Sequence, residues 1–133
     1  MVTELLSKQL GVVLKKRTFS LPNGGRIEID AVSDTPPILC EIWAHQGAPK
    51  SAQKAKVMTD AMKLVYARTL ITGGQTPELK FVFTDEEAAT HFRHASTSWM
   101  AAALKVADVE VVVVPLPEDV RQAVIAAQRQ QYR

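Results

Sequence analysis

Cysteine is almost absent from this chain: Cys40 is the only one in 133 residues. It lies inside an apolar stretch, so an intramolecular disulfide framework is excluded and a reducing compartment fits best. Long apolar runs are missing too, and no stretch approaches the roughly 20 residues of a membrane span. The start, Met1-Val2-Thr3-Glu4-Leu5-Leu6, carries an acid and lacks a basic leader followed by an apolar core, which argues against a secretory signal. The expectation is a soluble cytoplasmic protein. Neither charge sign is in excess: 16 Lys and Arg against 14 Asp and Glu leave a net +2. A pI near 8.8 permits nucleic-acid contact without arguing for it. A phosphate-cradling glycine loop is also missing. Gly73-Gly74 follows a helical pattern, not a strand, which weakens any Rossmann or P-loop reading. Ser96-Thr97-Ser98 shows no nucleophile elbow.

What is present is one domain over residues 1–133, long enough to bury a core. Val2 to about Leu14 reads as a helix, and Thr18 to Leu21 as an edge strand. Pro22-Asn23-Gly24-Gly25 supplies a hairpin turn. Arg26 to Val32 alternates, with Ile27, Ile29 and Ala31 on one face and Arg26, Glu28 and Asp30 on the other. After a second turn at Ser33–Pro37, a strand from Ile38 to His45 completes an antiparallel meander. A long helix follows from about Lys50 to Leu70, with Ala55, Met58, Met62, Val65 and Thr69 as its buried stripe. Leu79 to Phe83 is a short strand. Thr84 and Glu87 form a capping box that opens a helix running to about Lys105. Val109 to Val114 reads as a strand covered on both faces, and Glu118 to about Gln131 as a last helix. The order is αβββαβαβα.

Two acids stand out on these strands: Asp30, and Glu41 within Ile38-Leu39-Cys40-Glu41-Ile42-Trp43. A carboxylate on a largely buried strand is costly unless compensated, and hairpin pairing brings these two near each other. Two such carboxylates can hold one Mg²⁺ (or Mn²⁺) while leaving positions for water and a phosphate oxygen. Each acid also has a plain structural reading, Asp30 as a turn residue and Glu41 as the ion-pair partner of a lysine beside the core. Trp43 reads as core packing or as a surface on which a base stacks.

With this element order and these acids, the chain resembles the PD-(D/E)XK nuclease superfamily over roughly residues 1–83. The resemblance implies a restriction-endonuclease-like α/β fold: a central mixed sheet with an antiparallel meander, flanked by helices. It implies metal-dependent hydrolysis of phosphodiester bonds in nucleic acid, with Asp30 and Glu41 as Mg²⁺ ligands. Glu4 matches the family's first-helix acid loosely, and Gln53 looks like its helix glutamine. A homodimer is expected on the same ground. The departure is Trp43, where the family pattern has lysine. Either the lysine's role has moved to the following helix, where Lys54 is favoured, Lys50 lies beside it and Lys56 points away, or the site is degenerate and the fold serves to bind nucleic acid or protein. A regulatory α/β domain with structural acids is a third class. Separately, Glu87, His91 and His94 lie at i, i+4 and i+7 on one helix, a spacing that can bind a transition metal; without His-Glu-x-x-His or cysteine ligands it reads better as a polar helix face.

Overall fold

A computed structural model describes residues 1–131. Ten elements follow one another: α1 (Val2–Leu10), β1 (Lys15–Ser20), β2 (Arg26–Asp34), β3 (Pro37–Trp43), α2 (Ser51–Leu70), β4 (Glu78–Phe83), α3 (Glu86–Thr90), α4 (Trp99–Val106), β5 (Val109–Val113) and α5 (Glu118–Gln131). The five strands form one sheet in the order β1-β2-β3-β4-β5. The first three pair antiparallel, as a meander joined by tight turns must. At the first turn Gly24 adopts φ +91°, and the Asn23 side chain accepts the Gly25 N–H at 3.0 Å. β3 pairs parallel with β4, and β4 with β5, because helical crossovers return the chain to the same end of the sheet. The protein is therefore α/β, with a five-stranded mixed sheet flanked by helices. No helix among the described residues is long and apolar enough to cross a membrane.

Alternation along the strands sorts their side chains onto two faces. Leu39, Trp43, Leu79, Phe81 and Phe83 pack with Val57, Ala61 and Leu64 of α2, Ala88 and Ala89 of α3 and Leu104 of α4. Ala31, Ile38, Cys40 and Val82 pack on the other side with Leu6 of α1. Burial pushes the Cys40 thiol up to about 12, so it remains a protonated, inert core residue.

Several sequence expectations are corrected. α1 stops at Leu10, because Gly11 takes the left-handed conformation that caps a helix (φ 70°). The helix expected from Thr84 to Lys105 is two, α3 and α4. The Thr84 hydroxyl makes no capping box, since it is bonded to Gln46 Nε2 and the Ala44 carbonyl. The Ser98 side chain accepts the Ala101 N–H and starts α4 afresh. β5 is an edge strand whose Val111, Val112 and Val113 are only half-buried, not a strand covered on both faces. The buried stripe of α2 is Val57, Ala61, Leu64 and Ala67, and Met62 is 65% exposed. The helix is thus turned by about one residue, or about 100°, from the expected stripe.

β2 also breaks its alternation. Arg17 pairs with Ile29, but Lys15 pairs with Val32, so β2 carries one more residue than β1 across this interval. This is a β-bulge. Ile27 and Ile29 lie on the α2 face, and Ala31 has moved to the α1 face.

Candidate active site

The bulge shapes the site. The β2–β3 ladder runs from Asp34↔Pro37 to Ala31↔Cys40 and stops there. The next pair in that register is Asp30 and Glu41, and here carboxylates replace the ladder. Glu41 Oε2 accepts the Asp30 N–H at 3.1 Å, and Asp30 Oδ2 accepts the Ile42 N–H at 2.9 Å. Each side chain thus satisfies a backbone donor that the bulge left without a strand partner. On β3, Glu41 lies between Leu39 and Trp43 on the α2 face and is 1% exposed.

The cation at this pair comes from α2, and it is Lys63. Its ammonium meets Glu41 Oε1 at 2.6 Å as an ion pair and donates to the Glu28 carbonyl at 3.0 Å. Asp60, one turn earlier, stands 3.7 Å from the same ammonium and 3.4 Å from that of Lys56. Burial, together with the Asp30 carboxyl hydrogen-bonded beside it, pushes Glu41 up to about 8 despite the opposing pull of Lys63. Burial draws the Lys63 amine down, but Glu41, Asp60 and Asp30 outweigh it and hold the amine above its ordinary range.

The lysines favoured from sequence are elsewhere. Lys54 lines a groove of about 760 Å³ with His91 and Arg93. Burial lowers the His91 imidazole, and the nearby Lys54 charge adds to this. Lys50 is the N-cap of α2, and its N–H donates to Gln53 Oε1 at 2.8 Å, so Gln53 acts as a helix cap. Both line a pocket beyond the end of β3. Glu4 is on α1, the helix that covers the opposite face, and pairs with the Met1 ammonium. Of the five expected catalytic residues, Asp30 and Glu41 come together; Lys54, Gln53 and Glu4 do not join them. Trp43 is 6% exposed and stacks on His45 with 4.7 Å between ring centroids, which is core packing. Glu87, His91 and His94 do not share a helix, because α3 ends at Thr90.

Lys63 and Asp60 are the residues the sequence reading missed. A signal was available: with the stripe read as Val57, Ala61 and Leu64, positions 60 and 63 flank it and point at β2 and β3.

Among the described residues no cluster of three or more His, Cys, Asp or Glu side chains is placed to hold a metal ion. The acid pair nevertheless fits a divalent cation in its chemistry. Two carboxyls in contact, one pushed up to about 8, are what a cation between them would relieve. Magnesium takes one or two protein carboxylates and fills its remaining positions with water and phosphate oxygens. No protein-family model, curated protein or solved structure matches the chain.

Proposed function

We propose that this protein is a divergent metal-dependent nuclease of restriction-endonuclease-like fold, in which Lys63 of α2 takes the place of the lysine missing at position 43. The observation that carries this reading is the convergence of Asp30, Glu41 and Lys63 where the β2–β3 ladder opens, with the Lys63 ammonium 2.6 Å from Glu41. Asp30 and Glu41 would hold Mg²⁺ or Mn²⁺, which when bound supplies a Lewis acid against a phosphodiester oxygen and an acidified water. Glu41 must first release its proton, because a metal ligand is an ionised carboxylate. Lys63 then serves as a fixed positive charge that offsets the negative charge growing on the phosphoryl oxygens. Its raised pKa suits that role and not that of a general base. The same reading carries the expectation of a homodimer, which sedimentation would check.

A second reading, a catalytically silent module that binds nucleic acid or protein, is favoured by the burial of Glu41 and by the backbone amides that both acids already hold. The two separate in a cleavage panel of single-stranded, duplex and branched DNA and of RNA, run with Mn²⁺. The nuclease reading expects cleavage that Asp30→Ala abolishes. Equal cleavage by both proteins identifies a contaminant, and none on any substrate selects the binding module.

A further inference from the structure

A pocket of about 380 Å³ opens where the chain leaves β3, between the start of α2 and one flank of α5. Its charged lining is Lys50, Arg121 and Arg129 against one acid, Glu87, in a chain whose whole excess is +2; Arg121 also pairs with Glu118 at 3.4 Å. The pocket lies past the C-terminal end of β3, the strand edge at which open α/β sheets leave a crevice for ligands. The N-cap and third residue of the 20-residue α2, Lys50 and Gln53, both line it, so the positive end of that helix dipole adds to the side-chain charge.

The walls are fixed by bonds that use neither arginine. Gln128 of α5 clamps residue 46 at both backbone groups: its Oε1 accepts the N–H at 2.6 Å, and its Nε2 donates to the carbonyl at 3.0 Å. The Gly47 N–H donates to Asp85 Oδ2 at 2.6 Å. The Gln46 amide is committed on one side, with Nε2 donating to the Ala44 carbonyl and to Thr84 Oγ1. A carbonyl only accepts, so the amide cannot be turned round. That leaves Gln46 Oε1, on a side chain 8% exposed, without a donor, and His45 Nδ1 is buried without a partner. Buried polar atoms of this kind require an explanation. A fixed concavity with a cationic rim and unmet polar atoms fits an oxyanion whose carrier also bears hydroxyl or amine donors.

We propose that this pocket binds a phosphate group, carried either by a free nucleotide or by a nucleic-acid backbone. The inference requires neither a metal nor the acid pair, so it stands or falls apart from the hydrolytic reading. Calorimetric titration in EDTA tests it with four probes: inorganic phosphate, adenosine 5′-monophosphate, adenosine, and a short single-stranded DNA. The phosphate-bearing probes bind and adenosine does not. The Arg121→Ala/Arg129→Ala double variant weakens binding at least tenfold, and Lys105→Ala on the exposed side of α4 leaves it unchanged. Arg129→Glu, at an exposed position where folding is not at risk, produces the same loss. Displacement of the DNA by the mononucleotide identifies the backbone as the carrier, and mononucleotide binding without DNA binding identifies a free nucleotide. Absence of binding by every phosphate-bearing probe, or equal affinity in wild type and both arginine variants, overturns the proposal.

Discussion

One helix serves two regions that treat charge in opposite ways. Midway along α2, Lys63 reaches a carboxyl that is 1% exposed, between two strands that have given up part of their ladder to make room. At its start, Lys50 joins a rim of cations around an open pocket. In the first region every charge has a nearby opposite, and removing one strands another in low dielectric. In the second, like charges gather with one acid among them, and each alone adds little to stability. Burial makes a charge consequential for folding, whereas an exposed charge can be changed with little effect on it.

The comparison can be broken at the acid pair first. With Mn²⁺ and a cleavable substrate, Asp30→Ala is expected to lower the cleavage rate at least about 100-fold, as loss of a ligand in metal-assisted chemistry does. Lys63→Ala comes next. Removing one partner of a buried pair costs about 3–5 kcal/mol, but Lys63 is 32% exposed and Glu41 can take up a proton instead. Urea unfolding should therefore show a loss of about 2 kcal/mol. The matched change at the pocket, Arg129→Ala, should shift the same curve by less than about 0.5 kcal/mol.

Between these in size lies a pH effect. Glu41 moves from about 4.5 in the unfolded chain to about 8 in the folded one, so the folded state binds the extra proton between those values. Its contribution to stability is fully present below pH 4.5 and is lost as pH rises toward 8. Wild type should weaken by about 1–3 kcal/mol across that window in unfolding experiments, and Glu41→Gln should flatten the slope. The same proton competes with metal, so Mn²⁺ affinity measured by titration should rise with pH and level off near 8. A smaller loss than that of Lys63→Ala is expected at the Gln128 clamp. Gln128→Ala removes two hydrogen bonds at a half-buried site and should cost about 1 kcal/mol by the same assay, with faster proteolysis within α5.

The five strands in order and the antiparallel meander were legible in the sequence, because turn residues and two-residue alternation are local signals; the meeting of Asp30 with Glu41 was expected from hairpin pairing, although the bulge that puts them on one face was not. Lys63 was not, and the reason lies in phase. Ala55, Met58, Met62, Val65 and Thr69 and the observed Val57, Ala61 and Leu64 both fit a helical period. Choosing between them requires knowing which side meets Leu39 and Phe81, and that is tertiary information. Lys54 was favoured because it starts the helix close to the end of β3, whereas the lysine that reaches Glu41 lies two turns and more along α2. The break after Thr90 was missed because a capping box can be read from residue types, whereas Thr84 had a competing partner 38 positions away in Gln46. The pocket escaped notice for a similar cause: its cations come from residues 50, 121 and 129, and no spacing rule links them.

The bulge in β2 makes the acid pair a matter of parity. Asp30 stands beside Glu41 because β2 carries one extra residue between Ile29 and Val32, so that simple alternation fails there. Substitutions along β2 alter individual contacts and leave that count intact. Deletion of Ala31 would restore the even rhythm and split the pair across the two faces of the sheet, with both acids still in the chain. Across the descendants of such a sequence, this strand should tolerate changes of letter far more readily than changes of length.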